Sequence, residues 1–129
     1  MANTPQPPDI AAAPAPRQRS LASVLAHIDA HLGEPLRLES LAALSGLSLW
    51  RFATVFRERI GMSPYRYINQ RRVQRAQALL RQGMPVARAA SESGFYDQSH
   101  LSRRFKRLCG MTPGQYQSGQ SATLSSTPL

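Results

Sequence analysis

The sequence predicts an all-α protein organised around two copies of one turn-helix unit. Three observations carry that prediction. The stretch from Gly94 to Tyr116, GFYDQSHLSRRFKRLCGMTPGQY, spells a turn, a capped helix, a second turn and a helix start. The earlier stretch from Ser48 to Tyr67, SLWRFATVFRERIGMSPYRY, spells the same device. Gly61 to Gly110, Pro64 to Pro113, Phe56 to Phe105 and Ser48 to Asp97 are each 49 positions apart, while the turn glycines Gly46 and Gly94 are 48 apart. An internal repeat with one residue added in its second turn implies two supersecondary units in one domain.

Residues 1–19, MANTPQPPDIAAAPAPRQR, are Pro, Ala and Gln with few large apolar side chains. Such a segment cannot bury enough surface to offset its chain entropy, so a disordered arm or linker is expected. The PxxP spacing at Pro5 to Pro8 would suit a polyproline-binding groove, but in a proline-dense segment it arises by chance. From Ser20 the pattern turns helical, with Leu21, Val24, Leu25, Ile28 and Leu32 on one face and Gly33 ending the run. His27 and His31 stand four apart on it, a spacing that can hold a metal, yet no third ligand is nearby and a solvated face is expected.

A first turn-helix unit is expected at about 37–60. Its support helix presents Leu38, Leu41, Ala42 and Leu44, Gly46 turns the chain, and Ser48 caps a helix from Leu49 to Ile60. Phe52, Val55, Phe56 and Ile60 form the core face of that helix, and Trp50, Ala53, Thr54 and Arg57 share the opposite one. Trp50, out of phase with the phenylalanines, is therefore expected to be exposed. Gly61 ends the helix, and Ser63 with Pro64 opens a linking helix over 64–82. At about 1.5 Å per residue it is roughly 28 Å long. Tyr67, Ile68, Val73, Ala76, Leu79 and Leu80 can pack inward from it, while Arg66, Arg71, Arg72 and Arg75 supply charge.

The second unit is expected at about 85–109, with Val86, Ala89 and Ala90 inward on its support helix. Gly94 supplies positive φ at the turn, and Asp97 accepts from the free amides of the next helix. Leu101, Phe105 and Leu108 form the apolar face of that helix, opposite Gln98, Ser99, Ser102, Arg103, Lys106 and Arg107. Gly110 closes it, and Thr112 with Pro113 opens the last helix. Residues 119–129 are small and polar, and disorder is expected there.

The 129 residues carry 16 Lys+Arg against 7 Asp+Glu, a formal net charge of +9 and a sequence pI near 11.3. Fifteen of the sixteen basic residues are Arg, the side chain that bonds phosphate and guanine bidentately. Nucleic acid is the partner that this balance favours, ahead of an anionic membrane surface. One cysteine excludes an intramolecular disulfide, and neither a membrane span nor a signal-peptide core is present in the sequence. A cytoplasmic, nucleoid-associated protein is expected. Cys109 is the one candidate nucleophile, but it aligns with Ile60 in the repeat and reads as a core residue, so no enzymatic activity, catalytic residue, metal or cofactor is expected.

The LAALSGLS turn, the RFATVF helix followed by RERIGMSPYRY, and the ASESGFYDQSHLSRRFKRLCGMTPGQY signature together resemble the DNA-binding domain of the AraC/XylS family of bacterial transcription regulators. The resemblance covers residues 20–118. It implies seven helices, forming two helix-turn-helix subdomains joined by a long helix, with each unit inserting one recognition helix into successive major-groove segments about one DNA turn apart. It implies base contacts from Trp50, Arg51, Ala53 and Thr54 in the first unit and from Gln98, Ser99, Ser102 and Arg103 in the second. Ser48, Arg57, His100, Lys106 and Arg107 would hold the DNA backbone. Thr54 stands where the family often carries Arg, and Ala53 where a longer polar residue is common. The implied function is a sequence-specific regulator acting on double-stranded promoter DNA, an activator that contacts RNA polymerase. The implied state is a monomer on DNA unless an N-terminal domain dimerises it, since the chain reads either as a short free-standing regulator or as the C-terminal part of a larger one. The alternative is a protein-interaction or anti-regulator module with weak, non-specific DNA binding.

Overall fold

The computed structural model describes residues 15–126, with side chains from 21 to 119. The Pro5 to Pro8 stretch and most of the expected arm lie outside the described residues. Among the described residues there are seven helices and no strand: α1 Ala15–Ala30, α2 Leu38–Ser45, α3 Leu49–Ile60, α4 Pro64–Arg81, α5 Val86–Glu92, α6 Gln98–Cys109 and α7 Pro113–Ser126. They form two helix-turn-helix subdomains, α2–α3 and α5–α6, with α4 as the connecting helix. The chain divides into two compact units, one of Leu36–Tyr65 with the chain up to His31, the other of Leu32–Pro35 with Arg66 onward.

Two boundaries differ from the sequence expectation. The first helix starts at Ala15 rather than Ser20, within the expected arm. Ala, Arg and Gln are strong helix formers, and Pro16 fits a first turn, so propensity extends the helix backward without any apolar stripe to announce it. The last helix runs on to Ser126, through most of the segment expected to be disordered. Its start is firmly nucleated by a reciprocal capping box: Gln115 N–H donates to Thr112 Oγ1 at 3.1 Å, and Thr112 N–H to Gln115 Oε1 at 2.9 Å. Once a first turn exists, each added residue gains a hydrogen bond.

In the first unit, Val24 and Ile28 of α1, Leu41 and Ala42 of α2 and Phe52 and Phe56 of α3 are buried. The two rings meet edge to face with centroids 5.6 Å apart. Val55 and Ile60 are only half-buried. Leu44 is exposed, contrary to expectation. The buried stripe of α2 is Leu41, Ala42 and Ser45, and Leu44 lies about 100° round from its centre. The stacked rings of His27 and His31, with centroids 4.1 Å apart, are half-buried rather than solvated, and His31 Nδ1 bonds the His27 carbonyl at 2.8 Å. Among the described residues no cluster of three metal-ligating side chains occurs.

In the second unit, Val73, Ala76 and Leu80 of α4 form one cluster with Ala89 and Ala90 of α5, Phe95, and Leu101 and Phe105 of α6. Thus α4 is more than a connector, since from Arg66 on it is a wall of this core. Leu108 is exposed, not inward, because the buried stripe of α6 rotates towards Cys109, which packs against the cluster four residues after Phe105. The last helix is latched at three points. The Tyr116 ring meets Phe105 at 5.3 Å, its hydroxyl accepts from Arg81 at 2.7 Å, and Gln117 Nε2 donates to the carbonyls of Leu80 and Met84 at 3.1 and 2.8 Å. Truncating a buried ring such as Phe105 costs roughly 3–5 kcal/mol. The exposed Arg88–Glu92 pair at 3.6 Å contributes at most about 0.5 kcal/mol, so packing decides this unit's stability.

Ser93 closes α5 and is fully buried, with no partner for its hydroxyl among the described residues. An unpaired buried hydroxyl costs desolvation without return. Ser93→Ala should leave the thermal midpoint unchanged or raise it, a gain of up to about 1 kcal/mol. A clear fall on calorimetric melting would show that the hydroxyl is bonded after all.

Candidate nucleic-acid interface

Each recognition helix is set by a cap at one end and a left-handed glycine at the other. Ser48 Oγ accepts from Arg51 N–H at 3.2 Å and Asp97 Oδ1 from His100 N–H at 2.8 Å. Gly61 and Gly110 stop the helices at φ 91° and 78°, each donating back to a carbonyl of the last turn. With Phe52 and Phe56 buried on α3, and Leu101 and Phe105 buried on α6, the opposite faces are left to solvent.

Those faces correspond position by position. Trp50, Ala53, Thr54 and Arg57 follow the i, i+3, i+4, i+7 pattern, and adding 49 to each gives Ser99, Ser102, Arg103 and Lys106. Trp50 is 74% exposed, and Arg51 and Arg57 are exposed, while Ala53 and Thr54 are partly covered. On α6, Gln98, Ser99, Arg103, Lys106 and Arg107 are exposed, with Ser102 and His100 half-buried. Ser48 is exposed at the start of α3. The expected contact residues therefore fall into one stripe per unit, with Gln98, Arg51, His100 and Arg107 flanking.

The chemistry of the two stripes differs. Thr54 Oγ1 donates to the Trp50 carbonyl at 3.0 Å, so its proton is committed within α3. Trp50, Ala53, Thr54, Arg57, Glu58, Ser63 and Pro64 line an open hollow of about 340 Å³ beside the helix. The α6 stripe, by contrast, is hydroxyl, amide and guanidinium.

His100 is held rather than free. Its Nδ1 accepts from Tyr96 N–H at 3.2 Å, and its ring meets Phe95 edge to face at 5.3 Å. Burial, then the positive charges of Arg104 and Arg103, push its pKa below the ordinary imidazole value; Asp97 opposes them and Arg72 adds to them. The neutral ring with Nδ1 as acceptor leaves Nε2–H as its outward donor. Burial pushes the Cys109 thiol up, against a bond from Gln77 Nε2 at 3.2 Å, which disfavours the thiolate that a nucleophile needs.

One residue at this edge carried no signal in the stripe pattern. Gly46 and Leu47 donate to the Ala43 and Ala42 carbonyls, and Gly94 and Phe95 donate to those of Ser91 and Ala90, all four pairs keeping the 48 offset. The 49 offset begins at Ser48 and Asp97, so the added residue of the second turn is Tyr96, which is 91% exposed. The slip between the two offsets was visible in the sequence; which residue absorbed it was not.

Against known proteins, a helix-turn-helix domain family model matches residues 41–119. The chain belongs to the AraC/XylS-type helix-turn-helix family. It is 33% identical over 101 residues to the regulatory protein SoxS of Escherichia coli K12, covering 78% of this chain and 94% of that protein. It is 31% identical over 102 residues to the transcriptional activator RhaS of Escherichia fergusonii, covering 78% of this chain but 37% of RhaS, so it spans about a third of that relative's length. Its fold matches the DNA-binding domain of the global transcriptional factor AdpA, solved in complex with a target DNA, with a TM-score of 0.80 and 31% identity over 83% of this chain and 97% of that one. As an AraC/XylS-type domain it is a DNA-binding regulatory module. No helix among the described residues is long and apolar enough to cross a membrane.

Because the folded state favours neutral His100, this residue binds its proton more readily in the unfolded chain, and its contribution to stability is lost as pH falls below about 6.5. Melting at pH 7.5 and 5.5 should show a larger loss for the native chain than for His100→Gln, which cannot titrate. Equal losses would mean that the imidazole is not held neutral.

Proposed function

We propose that this chain is a sequence-specific transcription regulator that reads double-stranded promoter DNA with α3 and α6 in successive major-groove segments. The observation that carries this reading is the pair of matching stripes, each presented by a capped helix on its own packed core. Groove recognition requires a helix whose buried face is fixed and whose outer side chains are not needed for folding. Ser48, Arg57, His100 through Nε2, Lys106 and Arg107 then hold phosphates. Gln98, Ser99, Ser102 and Arg103 read polar base edges, and Trp50, Ala53 and Thr54 read through apolar contact. Arg51, at the position matching His100, lies off the stripe and is assigned to the flanking backbone.

Activation through RNA polymerase is the mode we favour, supported by the activator RhaS among its relatives. One chain already carries two reading helices, so we propose that it binds DNA as a monomer unless an N-terminal domain dimerises it, in the cytoplasm.

Selection of bound sites from random duplex DNA is the primary test, and a chain that enriches no sequence would overturn the reading in favour of non-specific binding. Arg103→Ala should cost about 1–3 kcal/mol and relax preference at one base pair, since a guanidinium bonds both acceptors of guanine. An unchanged motif would remove Arg103 from the base-reading set. Lys106→Ala should weaken all sequences alike and lower the salt dependence of binding by about one phosphate contact; a changed sequence preference would contradict its phosphate role.

Apolar groups in the major groove have one distinctive target, the thymine methyl. With the Thr54 proton already used, the α3 stripe should prefer a thymine-bearing half-site. Replacing each thymine of the selected site by deoxyuridine should weaken binding under α3 and much less under α6. Equal sensitivity of both halves would overturn this division.

A further inference from the structure

The four residues Leu32–Pro35 precede the first helix-turn-helix in the chain, yet they belong to the unit that contains the second. Arg72 of α4 holds them. Its Nε donates to the Leu32 carbonyl at 3.0 Å and its Nη2 to the Glu34 carbonyl at 2.8 Å. Against this strap lies the turn that launches α6. Gly94, at φ 91°, approaches so closely that a Cβ there would fall 2.0 Å from the Leu32 carbonyl oxygen and 2.7 Å from Arg72 Nε. A Cβ on Gly33 would in turn fall 2.9 Å from the Glu92 carbonyl oxygen, which also accepts from Arg75 Nε at 2.9 Å. Strap, turn and α4 thus meet at backbone contact distance, with two arginines bonded to carbonyls where the sequence suggested only a charged face.

From these contacts we infer that Arg72 is a positioning residue for DNA reading: by clamping the Leu32–Glu34 strap beneath Gly94, it sets the turn from which α6 presents Gln98 to Arg103. The inference rests on the proposed reading that α6 contacts bases. A groove contact tolerates only about half an ångström of misplacement, so the support of the turn is a determinant of specificity. The turn's other anchors tie it to its own two helices: Gly94 and Phe95 donate to the Ser91 and Ala90 carbonyls of α5, Tyr96 N–H is bonded to His100, and Asp97 caps α6. The strap is the contact that ties it to Arg72 of α4. A guanidinium suits the task because one planar group reaches two carbonyls, whereas a lysine has only a point charge to offer.

The test uses the full chain. Binding to a panel of single-base variants of the selected site is measured for the native protein, Arg72→Met, Arg72→Lys, Gly94→Ala and the reference Arg103→Ala, with a thermal melt of each. Arg72→Met and Gly94→Ala should lower discrimination roughly tenfold at the base pairs under α6, including the one lost in Arg103→Ala, and leave the pairs under α3 unchanged. Arg72→Lys, whose donors all sit on one nitrogen and can reach one of the two carbonyls, should fall between them and the native chain. The salt dependence should not change, because no phosphate contact is lost. A role confined to stability would move the melt but not the pattern of discrimination. Should Arg72→Met or Gly94→Ala fail to fold, Arg72→Lys decides. Native discrimination in folded variants, a uniform loss over all sequences, or a shallower salt slope would each overturn the clamp. If Arg103→Ala itself leaves preference intact, the reading of α6 fails instead, and the two failures are told apart.

Discussion

Two phenylalanines, Phe56 and Phe105, each about midway along a recognition helix and fully buried, determine which side of that helix faces solvent. A helix has one degree of rotational freedom about its axis once its ends are placed, and burial of a ring worth roughly 3–5 kcal/mol removes it. In the first unit Phe52 fixes the same phase one turn earlier, and in the second Leu101 does so. Everything proposed for the two outer stripes follows from this. Were the rings turned outward, the same side chains would point into the core.

Rotation alone does not set where along the duplex a side chain lies, and there the helix ends matter. The caps at Ser48 and Asp97 define the first residue of each helix, and the left-handed glycines at Gly61 and Gly110 define the last. Each cap contributes about 1 kcal/mol, small beside the rings, but it fixes the start of the helix to a single residue. The second unit adds a constraint that the first lacks. Its turn is one residue longer, and the extra length is absorbed by Tyr96, whose amide donates to the His100 ring.

Fold and stripes were legible because they rest on local rules. Helix phase, caps, left-handed glycines and the repeat offset are all written within a few residues of the feature they produce. Misassignments arose where a neighbour distant in sequence decides. Leu44 and Leu108 each follow a buried residue by three, Leu41 and Phe105, but the packing stripe turns away from both; the second stripe ends on Cys109, which Gln77 of α4 meets from thirty-two positions away. The roles of Arg72 and Arg75 were hidden for the same reason. A side chain that satisfies two carbonyls some forty residues upstream looks, in the sequence, like any arginine on a solvated helix. The helical extent of α1 and α7 was missed for the opposite reason: α1 begins on good helix formers and α7 propagates from its capping box, and neither end carries the apolar stripe by which a helix is read from sequence.

The two units keep the same scaffold while their outer stripes have diverged, and the reason is physical. Gly, Pro, Phe and cap positions are restrained by φ, by missing donors and by volume, so both copies retain them, at an offset of 48 up to the turn and 49 beyond it. Trp50, Ala53 and Thr54 against Ser99, Ser102 and Arg103 are partly or fully exposed and are restrained far less by the fold. A protein that reads DNA by pairing identical subunits must meet a two-fold symmetric site, because each subunit presents the same side chains. A single chain bearing two different stripes escapes that requirement. On the proposed reading, the chemistry of its target is asymmetric, with thymine methyl groups under one stripe and hydrogen-bonding base edges under the other, and such a site defines a direction along the DNA.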